Sequence, residues 1–142
     1  MIPFPELKAF RNWDATGSDK VIFIVPNGEV YELLWVHAAV VATANVGDRQ
    51  FRLVVYDAGG NLTLQALTGE FVEAGETWGI AWAPDLPLQE DQTGVNLMFV
   101  PLPAPLLLPV GYAVRVQDVS AIDPDNDSMY LDALVRRYQP GA

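Results

Sequence analysis

Short apolar or alternating runs recur about every ten residues along this chain, and turn-forming residues separate them. The runs are rich in Val, Leu, Ile and aromatic residues, whereas the breaks contain Gly, Pro, Asn or Asp. Runs of this length with this punctuation are typical of an all-β domain. We predict about eight strands, at 20–25, 29–45, 49–57, 61–67, 77–83, 95–100, 111–117 and 129–138.

The turn signals are strongest after the first and third runs. Pro26, Asn27 and Gly28 form one of them, and the segment 57–60 (Asp-Ala-Gly-Gly) forms the other. The second segment predicts a hairpin between 49–57 and 61–67. The Ala- and Val-rich stretch 37–44 fits a helix by periodicity, but it follows β-prone residues without an N-cap, so we interpret it as strand.

Several predicted strands are apolar on both faces, which favours two packed antiparallel sheets. The expected architecture is an antiparallel β-sandwich of the jelly-roll or a related Greek-key type, and an immunoglobulin-like sandwich is the second choice. Hydrophobic residues make up 51% of the 142 residues and charged residues 18%. Such a composition leaves much apolar surface, which either the sandwich or a neighbouring subunit must cover.

The first 19 residues contain several prolines and aromatic residues but no β alternation. We therefore predict an extended N-terminal arm (1–19), a β-sandwich domain (20–138) and a short C-terminal tail (139–142). Chain ends fray unless something holds them, so an apolar arm points to contact with a partner or with the domain itself.

Charge argues against nucleic-acid binding. Eighteen acidic residues against eight basic ones give a net charge of -10, and no Lys or Arg lies between Arg52 and Arg115. Phosphate binding requires neutralising cations, so DNA and RNA are not expected partners. The uncharged stretch 92–114 contains four prolines, which would break a membrane helix, and the first ten residues lack the pattern of a secretory signal. We expect neither membrane insertion nor secretion.

One acidic segment resembles the start of a calcium-binding loop. Asp123, Asp125 and Asp127 alternate as the first carboxylates of such a loop do, but Ser128 replaces its glycine and Leu134 replaces its last glutamate. We interpret the segment as a solvated turn and keep a cation site as the alternative.

Catalytic signals are weak. The chain has no Cys and only one His, His37, which we interpret as packed or hydrogen-bonded. No serine lies in a nucleophile elbow, and no glycine motif for a cofactor is present, so we expect neither an enzyme nor a cofactor. A glycan-binding module remains open, and three aromatic residues could stack on sugar unless they pack in the core: Trp78, Trp82 and Tyr112.

The C-terminal half carries a resemblance to a known group of proteins. The pattern is LP-x-GY-x-x-RV-x-D over 108–118, then Ile-Asp with further Asp residues over 122–127, then a last strand with a basic and aromatic end. The middle of the chain adds a further similarity, a hairpin with a Gly-Gly turn in the sequence VGDRQFRLVVYDAGGNLTL. In these features the chain resembles small structural proteins of tailed bacteriophage virions, and most of all head decoration (cement) proteins.

The resemblance implies a non-enzymatic protein that is made in the host cytoplasm and binds the outer surface of the phage head. Its expected partners are the major capsid protein and further copies of itself, as a homotrimer. A neck or tail component and a receptor- or glycan-binding module are the alternatives. Tyr31 and Trp35 are expected to face the core or a protomer, and removal of residues 1–13 is expected to abolish capsid binding without unfolding the domain. The expected contact residues are Ile2, Pro3, Phe4, Pro5, Phe10, Trp13, Arg136, Arg137 and Tyr138.

Overall fold

The structure, a computed structural model, describes residues 5–13, 17, 19–85 and 96–139. These residues form ten strands and no helix. The strands are β1 (Glu6–Asn12), β2 (Asp19–Ile24), β3 (Val30–Val41), β4 (Phe51–Tyr56), β5 (Leu62–Leu67), β6 (Thr77–Pro84), β7 (Leu97–Leu102), β8 (Leu107–Leu108), β9 (Ala113–Asp118) and β10 (Ser128–Tyr138).

The strands form two sheets. Sheet A has the order β1-β10-β3-β6-β7, with the short β8 also paired to β3, and sheet B has the order β2-β9-β4-β5. All neighbours are antiparallel except β6 and β7, which run parallel. The predicted hairpin is β4 and β5, in which Val54 lies opposite Gln65.

The hydrophobic core lies between the two sheets. Along β3 and β10 buried side chains alternate with more exposed ones, because successive residues of a strand point to opposite faces. Trp82 of sheet A is fully buried, and its indole N–H donates to the carbonyl oxygen of Ala66 in sheet B at 3.0 Å. The predicted all-β sandwich is confirmed, and the stretch 37–44 is strand over 37–41, not helix.

Two strands were missing from the sequence prediction. One is β8, two residues long, inside the proline-rich segment. The other is β1, within the predicted arm, which pairs with β10 from Glu6 to Asn12. Its inward-facing residues are not uniformly apolar: Lys8 has its ammonium 5.2 Å from the ring centre of Phe10, and the side chain of Asn12 donates to the backbone of Val21. This mixed composition conceals the alternation that identifies other strands.

Candidate interaction surface

The outer face of sheet A is mainly apolar. Across the central strands, Leu134 of β10 lies opposite Trp35 of β3, and Ala39 of β3 lies opposite Gly79 of β6. Trp35 is 37% exposed although it belongs to one of the longest strands. We define the apolar face as Leu7, Ala9, Trp13, Trp35, Ala39, Val41, Gly79, Ala81, Ala83, Leu97, Phe99, Pro101, Tyr130 and Leu134.

Small residues on β6 make the middle of the apolar face shallow. Residues 78–83 alternate between large side chains that point to the core and small ones that point outward. At Gly79 the approach is close, since an added Cβ would lie 2.8 Å from Cδ2 of Leu97. The half-buried His37 lies opposite Ala81 in the same part of the sheet.

The charged side chains beside the apolar face are neutralised locally. Arg11 Nε donates to Oδ1 of Asp132 at 2.9 Å, and the indole N–H of Trp13 donates to the other carboxylate oxygen at 3.3 Å. The Arg11 guanidinium also lies 3.9 Å from the centre of the Trp13 ring. Tyr130 packs edge-on against Trp13, with the ring centres 6.0 Å apart. Because the charges are paired, this part of the surface can be covered by a partner at a lower desolvation cost than isolated charges would impose.

The outer face of sheet B has a different character. Arg52 of β4 donates from Nε to the side chain of Gln117 at 2.9 Å and from Nη1 to that of Gln65 at 2.8 Å. Arg115 of β9 pairs with Asp19 at 3.2 Å. This polar network lies across the middle of the outer face of sheet B, and Ile24 of β2 is exposed beside it, so the central strands of the two outer faces are chemically unequal.

The contact residues predicted in the arm separate into three groups: residues outside the described part of the chain, exposed residues, and the inward-pointing Phe10. Ile2, Pro3 and Phe4 lie outside the described residues. Pro5 and Trp13 are exposed, and Trp13, at 53%, belongs to the apolar face.

Phe10 points inward, with its ring centre 4.8 Å from that of Phe23 and 5.7 Å from that of Tyr31. It therefore helps to cover the core. Removing residues 1–13 would delete an edge strand together with Phe10, so such a deletion cannot test binding without disturbing the sheet.

The basic and aromatic end of β10 is bound to acidic side chains of β1, of β3 and of the residue that precedes β3. Arg136 pairs with Glu32 at 2.9 Å, and the hydroxyl of Tyr138 donates to the same carboxylate oxygen at 3.1 Å. Arg137 pairs with Glu6 and Glu29, each at 3.3 Å. Along β10, Arg136 and Tyr138 point to the outer face of sheet A, whereas Arg137 between them points to the inner face, as does Tyr31 opposite it. A role for these three in partner contact stays a prediction.

The acidic segment 123–127 forms the predicted turn, but the turn is not solvated throughout: Asp123 and Asp127 are buried against protein donors, and Asp125 is exposed. Asp123 accepts from Thr43 Oγ1 at 2.6 Å and from the side chains of Asn45 and Asn126 at 2.8 and 2.9 Å. These hydrogen bonds lower the pKa of Asp123. Within the part of the chain that the structure describes, no three His, Cys, Asp or Glu side chains are grouped to hold a metal ion.

The aromatic residues considered for sugar stacking belong largely to the core. Trp78 and Trp82 are buried, and Tyr112 packs partly buried against the same cluster. The indole N–H of Trp78 donates to Glu76, which also accepts the backbone N–H of Glu73. Of the two possibilities left open by the sequence, core packing is the one observed for Trp78 and Trp82, because both rings fill the space between the sheets.

The sequence did not identify Phe99, Ala39 or the small residues of β6 as surface residues. The signal was present in the segment 78–83, Trp-Gly-Ile-Ala-Trp-Ala, where bulky and small residues alternate with period two. In a central strand such a pattern places the bulky side in the core and the small side against whatever covers the sheet. No helix in the described residues is long and apolar enough to span a membrane.

No family model matches the sequence, and no curated protein matches it. Among solved structures, this chain is similar to a chain in the structure of the Gx strain of infectious bursal disease virus. The two are 9% identical, the match covers 99% of this chain and 33% of the viral chain, and the TM-score is 0.44. A chain in the T13 particle of the same virus is 9% identical, and the match covers 97% of this chain and 36% of the viral chain. PfGH50B is 8% identical, and the match covers 100% of this chain and 24% of that protein. Both matches have a TM-score of 0.35. This chain thus spans only 24% to 36% of the length of these proteins. At such identities and TM-scores the likenesses do not establish a family.

Proposed function

We propose that this chain is a non-enzymatic structural protein of a virion, a capsid decoration protein that binds major capsid protein subunits through the apolar face. The observation that carries the proposal is the difference between the two outer faces: a polar side-chain network lies across the central strands of sheet B, whereas the central strands of sheet A are apolar outside, with the nearby charges paired. A large exposed apolar face on a stable sandwich marks a surface that a partner covers.

The chemistry of the rest of the chain supports a binding role. The carboxylates of Asp123 and Asp127 are engaged by protein donors, and the net charge of -10 suits an outer surface without contact to the packaged nucleic acid. A protein that binds only the assembled shell stabilises it by mass action, and many copies with modest interfaces add their effects. The proposed location is the outer surface of the phage head, and the resemblance in sequence implies a three-fold assembly of copies there.

A matched pair of substitutions tests the binding face. Trp35→Glu places a charge in the middle of the apolar face, whereas Ile24→Glu places the same charge on sheet B, at a residue that is 61% exposed. Both variants and the unmodified protein are mixed with DNA-free heads of the virus that encodes the chain and sedimented through sucrose. We expect Trp35→Glu to abolish cosedimentation while Ile24→Glu behaves as the unmodified protein.

Two outcomes would contradict the proposal. If the unmodified protein does not sediment with heads but does with isolated tails, the chain is a neck or tail component. If it binds heads and Trp35→Glu binds equally well, capsid binding stands but the apolar face is not the contact. Circular dichroism of each variant confirms that the fold is retained.

A further inference from the structure

The outermost strands of the two sheet orders, β1 and β7 in sheet A and β2 and β5 in sheet B, are not equally protected against pairing with another strand. In sheet A, β7 contains Pro101, which cannot donate to a neighbouring strand, and β1 carries Glu6, Lys8 and Arg11. In sheet B, the edge of β2 is approached by Asn12, whose side chain donates to the carbonyl of Val21 at 2.9 Å. Prolines, charges and covering side chains are the usual means by which proteins block sheet edges.

Strand β5, the other edge of sheet B, has none of these features. Residues 61–68, Asn-Leu-Thr-Leu-Gln-Ala-Leu-Thr, contain no charge and no proline. Among the described strands β5 pairs with β4 alone, so no described strand lies along its far side. Leu62 and Leu67, at its two ends, are 48% and 41% exposed. An uncharged and partly apolar edge of this length is a template for strand addition.

The register of the β4–β5 pair shows which backbone groups face the open edge. The N–H of Thr68 donates to the carbonyl of Phe51 at 2.9 Å, so this pair is hydrogen-bonded. Hydrogen-bonded and non-hydrogen-bonded pairs alternate along an antiparallel ladder, which makes Arg52 with Leu67 and Val54 with Gln65 non-hydrogen-bonded pairs. The backbone N–H and C=O groups of Gln65 and Leu67 therefore point away from β4.

We propose that two copies of this chain pair antiparallel through β5, with Gln65 of one copy opposite Gln65 of the other. Residues that lie opposite each other in two paired strands must point to the same face of the sheet. With Gln65 opposite Gln65, odd-numbered residues lie opposite odd-numbered ones and even-numbered opposite even-numbered ones, so this condition holds along the strand. In this register Thr63 of one copy lies opposite Leu67 of the other on the outer face, and Leu64 lies opposite Ala66 on the inner face. The two four-stranded B sheets become one continuous sheet around a two-fold axis.

The lack of charge on this edge and its self-complementarity favour a second copy as the occupant. Two molecules that each carry a net charge of -10 repel one another, so close approach is least costly where neither presents charge. The segment 61–68 is such a place, and the antiparallel edge of a strand is complementary to itself under a two-fold rotation. A positively charged partner would find no carboxylate on this strand to recognise.

This contact is independent of the proposed capsid contact, because it uses the edge of sheet B and not the outer face of sheet A. A two-fold contact joins copies in even numbers, whether or not a three-fold contact also forms. The mass in solution is then two or six times the 15.6 kDa of one chain.

The experiment measures mass by light scattering coupled to gel filtration, for the unmodified protein and three variants. Gln65→Pro removes the N–H that faces the open edge but no hydrogen bond of the β4–β5 ladder. Gln65→Thr is the control: it keeps the N–H and loses only the bond to Arg52. Trp35→Glu is the second control, because it alters the apolar face alone. We expect Gln65→Pro to halve the mass and both controls to retain it.

Hydrogen exchange gives a second readout in the unmodified protein, without any substitution. The amides of Gln65 and Leu67 should exchange slowly when the protein is concentrated and quickly after dilution, because only the second copy protects them. A mass of one or three chains at the highest concentration would overturn the proposal. So would a folded Gln65→Pro variant of unchanged mass, or fast exchange of both amides in the assembled protein.

Discussion

Arg49 and Asp127, 78 positions apart in the sequence, form a buried ion pair in which Nε donates to Oδ2 at 2.9 Å. Both side chains are withdrawn from solvent, and Nη1 of Arg49 also donates to the carbonyls of Asn45 and Gly47. Asp127 in turn accepts the backbone N–H of Thr43. The pair thus connects the loop after β3 to the turn before β10.

Loss of one partner of this pair should destabilise the fold strongly. Arg49→Met leaves the Asp127 carboxylate buried without its cation, and breaking a buried pair in this way costs about 3–5 kcal/mol. We expect a corresponding fall in the free energy of unfolding measured by urea denaturation. The double variant Arg49→Met, Asp127→Leu should lose less than the two single variants together, because no lone charge stays buried. Additive losses would show that the two side chains are not energetically coupled.

Tyr31 should titrate late. Burial, and then the nearby Glu29 carboxylate, which accepts its hydroxyl at 2.8 Å, raise the pKa of Tyr31 from 10.0 to about 12. Since the folded pKa is the higher one, the associated stability is complete below 10.0 and is lost as the pH rises towards about 12. Ultraviolet titration of the phenolates should show one late step among the five tyrosines. Tyr31→Phe should remove that step; its persistence would assign it to another tyrosine.

Asp118 should weaken the fold at neutral pH. Its Oδ1 accepts the backbone N–H of Ser120 at 2.9 Å, but its Oδ2 is buried without a hydrogen-bond partner in the described structure, and burial raises the pKa of this carboxyl. The stability linked to the raised pKa is present in acid and lost as the pH rises through the folded pKa. Asp118→Asn should therefore stabilise the protein by about 1 kcal/mol at pH ~7, and less in acid.

Urea denaturation at neutral and at acid pH measures the effect of Asp118→Asn. The matched control is Asp48→Asn, which removes an exposed carboxylate and should leave the unfolding free energy nearly unchanged. If Asp118→Asn destabilises the protein at both pH values, the hydrogen bond to Ser120 matters more than the buried charge.

Strand β1 should contribute to stability through Phe10. Phe10→Ala uncovers the rings of Phe23 and Tyr31 and should cost about 2 kcal/mol, less than the loss of a fully buried ring. Leu7→Ala, on the same strand but 65% exposed, should change stability little. Thermal unfolding of both variants measures the difference. Equal melting temperatures would indicate that β1 is not docked on the sheet in solution.

Much of the sandwich could be predicted from local sequence patterns, because apolar residues recur at every second position in a strand that is buried on one face. The hairpin of β4 and β5 was predictable from its Gly-Gly turn, in which the Asp57 carboxylate accepts the backbone N–H groups of Gly59 and Asn61 at 2.9 Å. The residues in these contacts are only a few positions apart in the sequence, so a short segment of sequence is enough to predict the turn.

The order of the strands and the partners of the buried charges were not predictable. No sequence pattern around Arg49 or Asp127 indicates that the two side chains pair, since their contact depends on how two distant loops pack together. The apolar face was missed for a related reason. Trp35 and Phe99 resemble core residues in sequence, and only the assembled sheet shows that they point outward.

The position of β10 between β1 and β3 has a consequence for how the protein is made. The strand that joins the first strand of sheet A to the rest of that sheet is the last of the ten to leave the ribosome. Until it emerges, β1 has no neighbour in its sheet and β3 lacks one of its two long partners. Sheet A can close only after synthesis of the domain is nearly finished, so a nascent chain that stalls before residue 128 should expose apolar strands to chaperones or to other chains.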